Sequence, residues 1–183
     1  MASLQVQLID IAREPVATDP TTHALYVTDT NSGGAGGSWA INQGISFAHS
    51  IELNLAANGR YTLRFVVDET VHLTIRGNSQ AAMRWAIYET PTFSANGTAQ
   101  VGVNRDRSSA NVATLIPHNG ATLTGAGTTL WQGLTGIGVQ IEQELVQKFV
   151  LPAGTYAVYL IEASGTAQRF SIGLDWFEPH FIA

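Results

Sequence analysis

The sequence predicts an all-β protein: an antiparallel β-sandwich, jelly-roll-like, in a single domain with an N-terminal arm. Three observations predict it. Apolar residues recur with a period of two in run after run, the spacing of a strand with one buried face. Turn signals rich in Gly, Asn and Pro separate these runs. Helical periodicity is scarce, and many short strands with Gly-rich turns are the pattern of sandwiches and barrels.

Taken in order, residues 1–22 are the expected arm or first strand, with alternation at 4–9, and 23–183 the sandwich. A strand is expected at 23–28. DTNSGGAGGSW (29–39) is a Gly/Ser-rich loop, mobile or ordered by a partner. A strand at 45–55 follows. In RYTLRFVV (60–67), Tyr61, Leu63, Phe65 and Val67 share one face. In TVHLTIRG (70–77), Val71, Leu73 and Ile75 face inward, and His72, Thr74 and Arg76 outward. In AMRWAIYE (82–89), Met83, Trp85 and Ile87 alternate with Arg84, Ala86 and Tyr88. Strands at 128–134 and 155–162 come next, and RFSIGLDWF (169–177) alternates Phe170, Ile172, Leu174 and Trp176 with smaller or polar residues. IEQELVQKF (141–149) reads as strand or loop rather than as a turn or two of helix. Turns are expected at Asn58-Gly59, Asp68-Glu69, Gly77-Asn78, Asn96-Gly97, Pro152–Gly154 and Ser164-Gly165. Alternation points to antiparallel sheets, because buried parallel strands read as continuous apolar runs.

Composition narrows the function. At 183 residues and 45% hydrophobic, the chain can bury a real core. No apolar run approaches the roughly 20 residues of a membrane helix, so no membrane partner is expected. The N-terminus lacks the basic and apolar regions of a secretory signal. Cysteine is absent, which excludes disulfides and thiol chemistry. A net charge of −5 argues against nucleic acid as a partner. Eight Arg stand against one Lys, Lys148. Arg is favoured at interfaces and Lys depleted, so much of the surface is expected to be covered by partners. Compositional drift in the source genome gives the same count.

No catalytic motif stands out. The five histidines show no metal-ligand spacing, and no cofactor is expected. In DWFEPH, Asp175 and Glu178 are three apart and fall on opposite strand faces, so a metal site with His180 is not expected. Glu52, Asp68, Glu69, Glu89, Asp175 and Glu178 offer carboxylate pairs for glycoside hydrolysis, but nothing in their spacing selects one. No G-x-S-x-G elbow is present. Trp39, Trp85, Trp131 and Trp176, with Tyr61, Tyr88 and Tyr159, are aromatics able to stack sugars on a sandwich face, but Trp85 and Trp176 lie on the apolar faces of their strands and are expected in the core. Trp39 and Trp131, beside Gly-rich segments, are the candidate exposed platforms for sugars.

NRDRSSAN (104–111) is a charge cluster in a chain only 13% charged. If the segment is extended, Arg105 and Arg107 point one way and Asp106 the other. With Ser108 they form a candidate interface clamp, suited to gripping an acidic loop bidentately.

The order of segments resembles a family of small β-sandwich virion proteins of tailed bacteriophages, over roughly residues 55–178. YTLRFVVDETVHLTIRG, MRWAIYET, NRDRSSAN, LPAGTYAVYLIEASGT and FSIGLDWFE carry the likeness. The resemblance implies a non-enzymatic head decoration, or cement, protein. Such a protein sits as an oligomer, commonly a trimer, on the outer surface of the virion capsid. It binds the major capsid protein and stabilises the expanded shell. Arg105 and Arg107 would then be clamp residues, and the arm (1–22) a capsid-binding strand that extends a sheet edge. The rival expectation is a tail-associated carbohydrate- or receptor-binding module. A glycan-degrading jelly-roll enzyme is the third.

Overall fold

The computed structural model describes residues 41, 43–135 and 145–179. The expected arm, the strands at 4–9 and 23–28, the Gly-rich loop, Trp39 and His180 lie outside the described residues.

The described strands are β1 (Ser46–Leu55), β2 (Arg60–Val67), β3 (Val71–Ser79), β4 (Met83–Glu89), β5 (Thr92–Ala95), β6 (Thr98–Ala99), β7 (Val103–Asn104), β8 (Ile116–Asn119), β9 (Thr122–Gly125), β10 (Thr128–Thr135), β11 (Leu145–Leu151), β12 (Gly154–Glu162) and β13 (Gln168–Phe177). They pair antiparallel into two facing sheets, β11-β3-β13-β1-β7 and β10-β4-β12-β2-β8-β6, with a small β5-β9 ribbon.

The eight long strands set the topology. They form two quartets, β11-β3-β13-β1 and β10-β4-β12-β2. The chain changes sheet at each step between long strands, except from β4 to β10, which are neighbours. This interleaving of two Greek keys is the jelly-roll order. The short strands β5–β9 all belong to one insertion between β4 and β10, and NRDRSSAN lies in it.

Alternation explains the core. Leu63, Phe65, Val71, Leu73, Ile75, Trp85, Ile87, Val158, Leu160, Phe170, Ile172, Leu174 and Trp176 are all buried between the sheets. Each fully buried large side chain contributes about 1.5–3 kcal/mol relative to exposure. The segment 141–149 is strand from Leu145 onward, paired with β3.

One expected turn is corrected. Gly77 and Asn78 do not end a strand; β3 runs through them to Ser79. Gly77 is there for contact across the sandwich. A Cβ on it would lie 2.3 Å from Cη2 of Trp85 on the opposite sheet. The bare backbone lets the indole reach in, and its Nε1 donates to Thr135 Oγ1 at 2.7 Å. Asn58-Gly59 is a turn as expected, with Asn58 at φ 56°, a conformation Asn tolerates.

Candidate functional site

The structure builds NRDRSSAN as a bend and turn after β7, not as an extended segment. The rule that places Arg105 and Arg107 on one side therefore does not apply. Asn104 is the hub. Its side-chain amide donates to Gly44 O (2.9 Å) and Asn111 O (3.1 Å), and its Oδ1 accepts from the Asp106 N–H (2.9 Å). Asp106 turns inward on its own loop, accepting from Ser108 N (2.9 Å) and Ser108 Oγ (2.7 Å). The Ser108 side-chain and backbone bonds hold the Asp106 carboxyl below its usual range. Asp106 and Ser108 thus shape the loop rather than face outward as a pair.

The two arginines part company. Arg105 forms an ion pair with Asp175 on β13, which also accepts from Arg76 Nε at 3.1 Å. Arg107 is exposed, without an ion pair among the described residues. The loop is anchored below by Glu178, fully buried just past β13. Its Oε1 accepts from Thr114 N (2.9 Å), Leu115 N (3.0 Å) and Trp176 Nε1 (2.9 Å). Gly102 lies so close to Trp176 that a Cβ would come within 2.5 Å of the ring. What this rigid loop presents outward is apolar: Val101, Val103 and Val112 are 75%, 52% and 66% exposed.

Trp131, the second expected platform, is half-buried on β10. It pairs with core-facing Ile87 and packs against the core, with its ring over Gly133. Asp175 and Glu178 do fall on opposite sides of the chain, one in the Arg pairs and one in the interior. Among the described residues, no three metal-ligating side chains come together. Glu52 is paired with Arg169 at 3.2 Å.

The outer faces of the two sheets differ in charge. On the five-stranded sheet, Arg76 and Arg105 meet Asp175, and Arg169 meets Glu52. On the six-stranded sheet, the outward positions hold Arg60 and Arg64 of β2 and Arg84 of β4. The carboxylates on its strands, Glu89 and Glu162, pair in register with core-facing Tyr156 and Met83 and so face the other way. Arg64 lies with its guanidinium carbon 5.6 Å from the Phe93 ring centroid, and its Nε is buried with no hydrogen-bond partner among the described residues. His118 stands directly across from Arg64, also with a buried, unpartnered ring nitrogen, Nδ1. Burial, and then the Arg64 charge, push the His118 pKa down. The imidazole is therefore neutral at pH 7.

The same face carries an open groove of about 530 Å³. Arg84, Tyr88, Gln132, Leu134, Tyr159 and Ile161 line it. The Tyr88 and Tyr159 rings lie 6.1 Å apart, tilted by 36°. Burial and the neighbouring Tyr159 raise the Tyr88 hydroxyl pKa. Sequence reading picked out Tyr88 and Tyr159 as aromatics but not the arginines beside them. The signal was present: each arginine occupies the polar parity of an alternating strand with no acid on that parity.

No family model matches the chain, and no curated protein matches it. Among solved structures it is similar to the pre-peptidase C-terminal domain of a collagenase from Bacillus anthracis. The identity is 11%, the TM-score 0.37, and the match covers 70% of this chain and 89% of that one. At that TM-score the likeness carries nothing about this chain's role.

Proposed function

We propose that this chain is a virion structural protein of a tailed bacteriophage, most simply a head decoration protein. It binds the major capsid protein on the outer surface of the expanded shell as a homo-oligomer, in the way trimeric cement proteins do. Its role is mechanical and needs no catalytic group. The observation that supports this is the region around β7: exposed Val101, Val103 and Val112, and Arg107 with no ion pair among the described residues, on a turn held by Asn104, Asp106 and buried Glu178. Apolar side chains with Arg and no Lys are the composition of a protein–protein contact. Rigid presentation lowers the ordering cost of that contact.

The test is binding stoichiometry. Purified protein is mixed with expanded heads that lack it, sedimented, and counted per head. The expected result is saturation in the hundreds of copies, at a multiple of the icosahedral sites, with weaker binding to unexpanded shells. The Arg105→Ala/Arg107→Ala variant should bind less. A handful of copies per particle, or none, overturns the proposal.

A second reading has its own support. The groove with Tyr88, Tyr159, Gln132 and Arg84 favours a carbohydrate- or receptor-binding module, with a different set of aromatics from Trp39 and Trp131. Glycan affinity lost on Tyr159→Ala, together with few copies per particle, would decide for it.

A further inference from the structure

The seven arginines among the described residues are not spread evenly over the sandwich. On one outer face Arg76 and Arg105 share Asp175 and Arg169 pairs with Glu52, with Lys148 beside them. Arg60, Arg64 and Arg84 share the other outer face, where the strands supply no carboxylate. A chain of net charge −5 thus keeps the described strands of one outer face free of carboxylates. Arg64 adds a sharper sign: a half-buried guanidinium whose buried Nε–H has no acceptor among the described residues. An unsatisfied donor in such a place costs about 1–3 kcal/mol.

We propose that the outer face of the six-stranded sheet binds an acidic oligosaccharide, one built of uronic or similar sugar acids. Its carboxylates meet Arg84, with Arg64 on the same face outside the groove, and its ring faces rest on Tyr88 and Tyr159. The inference stands on the groove and its charge, and not on where the protein sits in a particle. Three features select this ligand class. The groove, at about 530 Å³, has the size of a small-ligand site rather than of a flat protein contact. Its aromatic lining wants a ligand with an apolar face, and a pyranose ring presents C–H bonds on its faces. Gln132 and the tyrosine hydroxyls suit sugar hydroxyls, and Arg84 suits a carboxylate in a planar, charge-assisted pair. A single-stranded nucleic acid also stacks and carries charge. However, the groove itself is lined by a single cation, Arg84, where a strand-binding groove tracks the phosphate row with several.

The experiment is calorimetric titration of the full chain with oligogalacturonate, oligomannuronate and oligosialic acid. Methyl-esterified oligogalacturonate serves as the uncharged control. Oligothymidylate and oligoglutamate are run at the same ionic strength. At least one sugar acid should bind, with affinity falling about tenfold or more, that is about 1.4 kcal/mol, on esterification or in Arg84→Gln. Arg169→Gln, on the other sheet, should bind as the parent does. Amide and tyrosine NMR shifts in the unmodified protein should map to β4, β10 and β12, which keeps the test independent of any variant's folding. No binding of any sugar acid at millimolar concentration overturns the proposal. So does equal binding of the esterified sugar, or tighter binding of oligothymidylate or oligoglutamate.

Discussion

Glu162 ends β12 as a buried acid surrounded by donors: the backbone N–H groups of Asn58 (2.8 Å) and Gly165 (3.0 Å), the Ser164 hydroxyl and the Gln168 amide (3.1 Å). These bonds, led by the Ser164 hydroxyl, lower its pKa from 4.5 to about 2. The unfolded chain therefore takes up the proton first as pH falls. The stability this residue contributes is complete above about pH 4.5 and is lost as pH drops toward 2. Urea unfolding followed across that window should show the loss, and Glu162→Gln should flatten it; an unchanged slope in the variant would remove Glu162 as its source. His118 titrates in the opposite chemical sense but with the same sign of linkage. Its folded pKa lies below 6.5, so it stays neutral in the fold and stability falls as pH drops below that value. The NMR midpoint of His118 should be below 6.5 and should rise in Arg64→Gln, though not fully, because burial is the larger cause.

At the scale of elements, β3 and β4 are locked across the sandwich by one glycine and one indole. A methyl group at Gly77 must displace the Trp85 ring, 2.3 Å away, or bend β3. Overpacking of this kind costs about 1–3 kcal/mol. Gly77→Ala should shift the denaturation midpoint down by that amount with little change in slope. A neutral result would mean that the indole repacks freely, and would take Gly77 out of the account of sheet spacing. The sequence shows Gly77 beside Asn78, a pair that spells a turn by local rules. Its use in mid-strand is invisible locally, because its partner sits on the other sheet. The strands themselves were far more legible. The stretch 60–67 is β2 residue for residue, and 45–55, 128–134 and 155–162 are each off by one position at one end.

For the whole molecule, the two outer faces and the region around β7 are three distinct surfaces: a sheet with ion pairs, a grooved sheet whose described strands carry arginines and no outward acid, and an apolar rim. The rim is the candidate subunit contact. Val103→Asp/Val112→Asp should lower the mass seen by sedimentation equilibrium and leave the thermal midpoint of the dissociated protomer unchanged, since both side chains are mainly exposed. An oligomer unaffected by both charges would remove the rim from the interface. The edge strand β7 covers only Phe47 and Ala48 of β1, so the contact depends on the loop's side chains more than on strand pairing.

The sequence by itself determined the strand class, most strand limits and the inner faces of β2, β3, β4 and β13. Period-two alternation is a property of the extended backbone, and any reader of the chain has it in full. The tertiary structure decided which charged groups meet. Asp175 joins Arg76 and Arg105 across separations of 99 and 70 positions. Arg60, Arg64 and Arg84 meet no acid among the described residues, because the jelly-roll order sets β2, β12 and β4 side by side with their polar parities on one face. Parity is local, whereas neighbourhood depends on strand order. Two arginines that look alike along the chain become a clamp in one sheet and a vacant cation in the other.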